Sequence, residues 1–169
     1  MMRFKLILFF LSCYPILNFG QITSIKSAEI SFNFEAKDVD GTISGFSSDS
    51  QLDFENIQNS KLKGSVAVKT IKTGIFLRDW ALKGNKYFNE DLHPKIYFES
   101  TNIQETNTGF SVQGNLTIKA IAKPMRITFV KNGNKLIGTA IVKTSEYGIN
   151  IKKHPEDNTV KVKLIFTLH

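Results

Sequence analysis

Apolar and polar residues alternate along most of this chain with a period of two. Ile30, Phe32 and Phe34 fall on one face, with Ser31, Asn33 and Glu35 opposite. That is the pattern of a half-buried strand. Val39 to Phe46 continues it, with Gly41 and Gly45 inside the run, where barrels turn corners. Leu52–Phe54 starts a short strand, and Leu62 to Ile71 predicts another with Val66 and Val68 on one face. Ile96 and Phe98 alternate with Tyr97 and Glu99. Phe110, Val112, Leu116 and Ile118 share one face with Gly114 between them. After Lys123-Pro124, where a break is expected, Met125 to Val130 resumes the pattern. Asn132-Gly133 predicts a type I′ hairpin turn leading into Leu136–Lys143. Val160, Val162, Leu164, Phe166 and Leu168 form the clearest alternating strand. About eight or nine strands spaced near ten residues predict an all-β barrel or sandwich. The barrel is preferred, because closure removes exposed edges.

One stretch departs from this period. Phe76, Leu77, Trp80 and Ala81 recur at spacings of three and four, so a short helical insert is expected around residues 76–83. A loop with Tyr87 and Phe88 follows, and His93-Pro94 forces an extended entry to the next strand.

The first 20 residues read differently again. Arg3 and Lys5 precede the apolar run Leu6–Leu11, and Gly20 is a small residue at a plausible cleavage point. This is the pattern of a secretory signal peptide. Ser12, Cys13 and Pro15 interrupt it well short of the roughly 20 apolar residues of a membrane span. The expected organisation is a leader over 1–20 and one domain over 21–169, in a periplasmic or secreted protein. Cys13 is the single cysteine. Phe10-Leu11-Ser12-Cys13 resembles a lipoprotein box only loosely, so a lipid anchor is not expected. Without the leader the domain has no cysteine and no disulfide.

Composition changes the picture in two ways. Fourteen Phe against one Trp is heavy aromatic bulk for a small domain, and it fits either a filled core or an apolar interior space. The net charge of +7, from 22 basic and 15 acidic residues, drops to +5 with the leader removed. The lysines are scattered, with no basic run interleaved with stacking aromatics, so nucleic-acid binding is not expected. Weak attraction to an anionic membrane surface is.

No catalytic constellation stands out. His93, His154 and His169 match no zinc spacing, no serine sits in a GxSxG elbow, and neither GxGxxG nor a P-loop is present. No metal site and no cofactor is expected, and the protein reads as a non-enzyme. Arg78-Asp79 is the pair with most chemistry. Asp79 can accept from free backbone N–H groups near the helix start. Arg78 can tie the insert to strand carbonyls, or bond a ligand head group at a barrel mouth.

Several pieces in order carry a resemblance. They are Thr73-Gly74, Arg78-Asp79, Leu82, Tyr87-Phe88, Pro94-x-Ile96-x-Phe98-x-Ser100, Gly114-x-Leu116-Thr117-Ile118, Lys123-Pro124 and Tyr147-Gly148-Ile149. Together they resemble the YceI-like family, secreted lipocalin-like proteins that bind long isoprenoid chains. The resemblance implies an eight-stranded antiparallel barrel with a helix packed across it and an isoprenoid lipid or quinone in an apolar interior. The chain departs from the family pattern at Asn89, Ala120, Ala122 and Ser145-Glu146, and lacks the histidines often seen near positions 28 and 35. The lining expected on this basis is Phe32, Phe34, Val66, Val68, Ile96, Phe98, Phe110, Val112, Leu116, Leu164 and Phe166. Trp80, Phe88 and Arg78 are placed near an entrance, and Gly114 and Ala140 leave room. The alternative is that the same residues fill a dry core in a structural or interaction barrel with a protein partner. An enzyme acting on such lipids is a third and weaker reading. A homodimer is compatible with all three.

Overall fold

Strand alternation sorts the side chains of the long strands into an inner and an outer set, with a bulge at Thr101 shifting the inward phase from Phe98 to Ile103. The computed structural model describes residues 21–169. The expected leader and Cys13 lie outside the described residues. Eleven strands occur among them: β1 (Ile22–Thr23), β2 (Ile25–Phe34), β3 (Val39–Ile43), β4 (Ser47–Ser48), β5 (Leu52–Asp53), β6 (Lys63–Ala67), β7 (Lys95–Thr106), β8 (Gly109–Ile118), β9 (Ile121–Asn132), β10 (Lys135–Lys143) and β11 (Thr159–Leu168). The helix α1 spans Phe76–Lys83, where it was expected. On β8, Phe110, Val112, Gly114, Leu116 and Ile118 are all buried while their neighbours are not.

Nine strands form one antiparallel sheet in the order β3-β2-β11-β10-β9-β8-β7-β6-β4. Its two end strands are consecutive pieces of one bent strand. β3 pairs with β2, from Ile30↔Ile43 to Phe34↔Val39. The chain then turns at Gly45, whose φ of +69° suits glycine, and β4 pairs with β6. The Ala67 amide donates to Ser44 O at 2.9 Å and the Thr42 amide to Lys72 O at 2.8 Å, tying the ends together. The expected eight strands become nine because this bent strand counts twice. A separate pair, β1 with β5, brings Leu52 into the core.

Three local expectations are corrected. The strand predicted over Leu62–Ile71 stops at Ala67, and a 3-10 turn covers Val68–Thr70. There the Thr70 hydroxyl donates to Ala67 O at 2.6 Å and accepts from the Ser44 amide at 2.8 Å, replacing ladder bonds. Lys123-Pro124 does not interrupt β9, which pairs with β8 through Asn115↔Pro124. Pro124 is tolerated because β10 pairs with β9 only over Ile127–Asn132, leaving that part of β9 with one neighbour. The β9–β10 turn is centred one residue later than expected, on Gly133-Asn134. Only Gly133 has a positive φ, the sign pattern of type II′ rather than I′.

The type I′ signs appear instead at the β8–β9 turn. Ile118 pairs with Ile121, and both Lys119 (φ 52°) and Ala120 (φ 60°) are left-handed. Neither is a residue that adopts this conformation without cost. Ala120 is one of the positions where the chain departs from the resembled pattern.

Two clusters share the interior. The larger gathers Leu52, Ile103, Phe110, Val112, Ile127, Phe129, Leu136 and Phe166. The smaller gathers Leu116, Ile118, Val142, Tyr147 and Ile149 at the opposite end of the same strands. The far part of the first is packed solid, where Phe129, Leu136 and Val112 have no exposed surface, while Ile127 and Phe166 on its near side border open space.

Candidate functional site, an apolar cavity beneath the helix

The second end of the barrel is hollow. A cavity of about 350 Å³ opens there, within the usual range for small-molecule sites. Strands β2, β6, β7, β8, β10 and β11 supply about half of its wall, and β3, β9, α1 with the loop after it, and further loop residues supply the rest. The floor is aromatic. Phe46 stacks on Phe166 at 5.3 Å, Phe166 meets Phe129 at 5.7 Å, and Phe129 stacks on Phe110 at 5.3 Å. Phe46 and Phe166 face the cavity, while Phe129 and Phe110 stand behind them in the filled end.

Of the expected lining, Phe32, Phe34, Val66, Ile96, Phe98, Leu116, Leu164 and Phe166 lie in the cavity wall, with Arg78 and Phe88. Val68, Phe110 and Val112 do not. Val68 is buried under the 3-10 turn, where its amide donates to Pro94 O at 2.9 Å. Phe110 and Val112 point inward from β8 as alternation requires, but at the filled end. Trp80 is also outside the wall. It lies on the outer face of α1 and is 71% exposed. Periodicity places Phe76, Leu77 and Trp80 on one side of the helix, and that side faces outward. Ala81, expected with them, lines the cavity with Leu82.

Of the two small residues expected to leave room, Ala140 lines the cavity. Gly114 has a different role. A Cβ built there would stand 2.5 Å from Cζ of Phe98, so the glycine seats that ring. The lining residues missing from the expected set include Ile118, Met125, Val142, Ile149, Ile151, Val160 and Val162. The signal for Val160 and Val162 was their register with Leu164 and Phe166 on one strand. Ile149 and Ile151 follow β10, on a segment with no period.

A buried asparagine holds that segment in place. Asn158 is fully buried, and its Oδ1 accepts from the amides of Ile151 at 2.7 Å and Lys152 at 2.9 Å. Its Nδ2 donates to Lys152 O at 3.1 Å and His154 O at 2.8 Å. Sequence reading gave it no role beyond a loop residue. Four bonds satisfy its whole amide, which is what makes its burial tolerable.

Arg78-Asp79 works as a clamp on Thr73. Arg78 Nη2 donates to Thr73 O and Nε to Thr73 Oγ1, each at 2.7 Å. The Thr73 amide donates to Asp79 Oδ1 at 2.7 Å, and the Thr73 hydroxyl donates to the same oxygen. The expected tie between insert and backbone is present, but Asp79 caps the chain before the helix rather than the helix's own amides. The hydrogen bond from the Thr73 hydroxyl holds the Asp79 carboxyl below its usual range; the Thr73 amide, Lys83 and Arg78 add to this, and slight burial opposes it. Thr73 and Arg78 both line the cavity. The clamp therefore sets the position of the wall formed by α1.

The wall carries no His, Cys, Asp or Glu side chain. Among the described residues, no three such side chains come together as a metal site requires. His154 lies 3.9 Å from Glu156 on an exposed loop away from the cavity.

Residues 22–168 match the YceI-like domain. A UPF0312 protein of Yersinia pestis (strain Pestoides F) is 29% identical over 87 residues, 52% of this chain and 45% of that protein. The chain thus spans under half the length of the Yersinia relatives it matches. A UPF0312 protein of Pseudomonas paraeruginosa is 25% identical over 134 residues, 73% of this chain and 70% of the relative. Among solved structures, Burkholderia cenocepacia BcnA superposes with a TM-score of 0.67 at 19% identity, covering 83% of this chain and 94% of that one. A polyisoprenoid binding domain from Saccharophagus degradans, implicated in plant cell wall breakdown, superposes with a TM-score of 0.52 at 9% identity, covering 88% and 97%. At these identities the structural likenesses establish the fold. With the family pattern matched across nearly every described residue, the chain belongs to the YceI-like domain family.

Proposed function

We propose that this protein binds a long apolar isoprenoid lipid, a polyprenyl chain or an isoprenoid quinone, in the hollow end of its barrel, and carries or sequesters it without chemical change. The observation that carries this reading is the cavity itself: apolar almost throughout, floored by stacked Phe rings and roofed by a short helix. Each buried methylene contributes about 0.8 kcal/mol, so a few isoprene units offset an association cost of roughly 4–15 kcal/mol with few polar contacts. The YceI-like family and a polyisoprenoid-binding structural neighbour support the same class of ligand. Arg78 lines the cavity wall while anchored on Thr73, which supports its bonding a phosphate or quinone oxygen there. A wall that is apolar almost throughout and holds no His, Cys, Asp or Glu side chain supports a non-enzymatic role. The pattern of residues 1–20 supports export to the periplasm or beyond, which N-terminal sequencing of the accumulated protein checks.

Native mass spectrometry of the protein from its own host, followed by organic extraction, tests the binding. A discrete adduct resolving into an isoprenoid lipid is expected. A clean protein mass that stays clean after incubation with isoprenoid quinones and polyprenyl lipids would sink the proposal.

A further inference from the structure

Helix α1 has two apolar faces. The inner one, Ala81 and Leu82 with Arg78, walls the cavity. The outer one has no cover. Phe76 is 79% exposed, Leu77 73% and Trp80 71%, and Ile75 and Leu92 beside the helix are also exposed. Single exposed apolar residues are ordinary on a surface. These are not scattered: among the described residues, five of the ten exposed large apolar side chains lie between Ile75 and Leu92. Contiguous patches of that kind mark interaction sites.

The charges around the patch select the partner. Lys72, Lys83 and Lys86 flank it, and Lys83 follows Trp80 by three residues, on the same side of the helix. The one carboxylate within residues 72–86, Asp79, is engaged by Thr73. Glu90 and Asp91 follow in the next loop, which is bonded back to the helix through the Glu90 amide and Lys83 O at 2.9 Å. A short helix with Phe, Leu and Trp outward and lysines at the margin has the make-up of an interfacial helix on an anionic bilayer. A second copy seated on the same face would bring its lysine margin against this one, like charge on like, which disfavours a dimer through the patch.

We propose that the outer face of α1 docks this protein on an anionic lipid surface, setting Phe76, Leu77 and Trp80 into the headgroup boundary with the cavity wall directly behind them. The purpose of such docking, transfer of a chain between bilayer and barrel, rests on the lipid-binding reading; the docking itself does not.

Trp80 is the single tryptophan, so its emission reports this face and not an attachment through residues 1–20. The full chain, in the form its host accumulates, is titrated with phosphatidylcholine vesicles with and without phosphatidylglycerol. The expected result is a blue shift of Trp80 and quenching by lipids brominated on the acyl chain, stronger with phosphatidylglycerol and weakened by salt. F76S with L77S should raise the lipid needed by about tenfold or more, and Lys83→Glu by about fivefold or more. The unfolding midpoint of F76S with L77S should not change, since both side chains lie outside the core; that of Lys83→Glu should fall slightly, because it sets a like charge four residues from Asp79. Emission unchanged by either vesicle overturns the docking. So does a shift that grows with protein concentration alone as the sedimenting mass doubles, which assigns the patch to a second copy. Organic extraction of the same preparation separates the two ideas. Bound isoprenoid without docking sinks only the docking, and docking with no lipid ever taken up sinks only the carrier reading.

Discussion

The rings of Phe166 and Phe129 meet at 5.7 Å, tilted by 34°, and at that contact the hollow part of the barrel stops. Phe166 looks into the cavity, whereas Phe129 is fully buried in the filled end and lies across Gly138, its partner on β10. A Cβ built on Gly138 would stand 2.5 Å from Cε1 of Phe129, so the floor has no slack on its far side. Cavity depth is therefore set by an aromatic stack held between strands.

Phe166→Ala removes the front of that floor. It should cost about 3–5 kcal/mol of stability, as for other large-to-small changes in a core. In protein that still folds, the cavity should deepen and longer polyprenyl chains gain affinity relative to shorter ones. Denaturant unfolding and competition between chain lengths check both parts. Unchanged length preference would show that Phe166 does not limit the site.

Ala120→Gly should stabilise the protein. Ala120 occupies a left-handed turn at φ 60°, beside Lys119 at φ 52°. The left-handed conformation costs a non-glycine residue about 1–2 kcal/mol, partly offset by the greater unfolded freedom of glycine. A net gain of about 0.5–1 kcal/mol is expected from denaturant midpoints at constant slope. A loss would mean that the Ala120 methyl has contacts worth more than its strain.

Asp79→Asn should loosen α1 without unfolding the barrel. It replaces a carboxylate that accepts both the amide and the hydroxyl of Thr73. A cost of about 1–2 kcal/mol is expected, along with faster amide exchange over residues 73–83. Acid should mimic the change. The folded carboxyl titrates below its unfolded value of 3.8, so its contribution is present above that value and is lost as pH falls through the lower folded one. Protection of the Thr73 amide, taken relative to its intrinsic exchange rate at each pH, that does not fall below pH 4 in the wild type would contradict this assignment.

Tyr147 makes stability fall in strong base. Burial, with Glu146 adding, pushes its hydroxyl up to about 12 from 10. Its folded value is raised, so its contribution is complete below about pH 10 and is lost as pH climbs towards 12. Tyr147→Phe should remove that part of the alkaline decline, leaving neutral-pH stability nearly unchanged. Parallel decline in both proteins would rule out Tyr147 as the source.

Much of this architecture is legible in the sequence because strand alternation is a local property. β8 and β11 were readable residue by residue, since every second side chain is apolar and each strand has a single inner face. Helix α1 was readable from its period, but not its orientation. Phe76, Leu77 and Trp80 share a side, and periodicity alone assigns that side to the interior. The clamp of Arg78 and Asp79 on Thr73 instead turns it outward. Asn158 escaped notice because its four partners are backbone groups, which leave no trace in side-chain pattern.

By itself the sequence determined that the chain is an antiparallel β structure with one helical insert, and which side of the regular strands such as β8 and β11 faces inward, because a period of two follows from backbone geometry. Only the tertiary structure decided which inward residues meet and which stand apart. Phe110 and Phe166 are equivalent by alternation, yet one packs in a solid core and the other faces open space. The difference lies in how far along the barrel axis each residue falls, and in where the strand bent at Gly45 closes the wall. Both depend on register between strands distant in sequence, which no local pattern encodes.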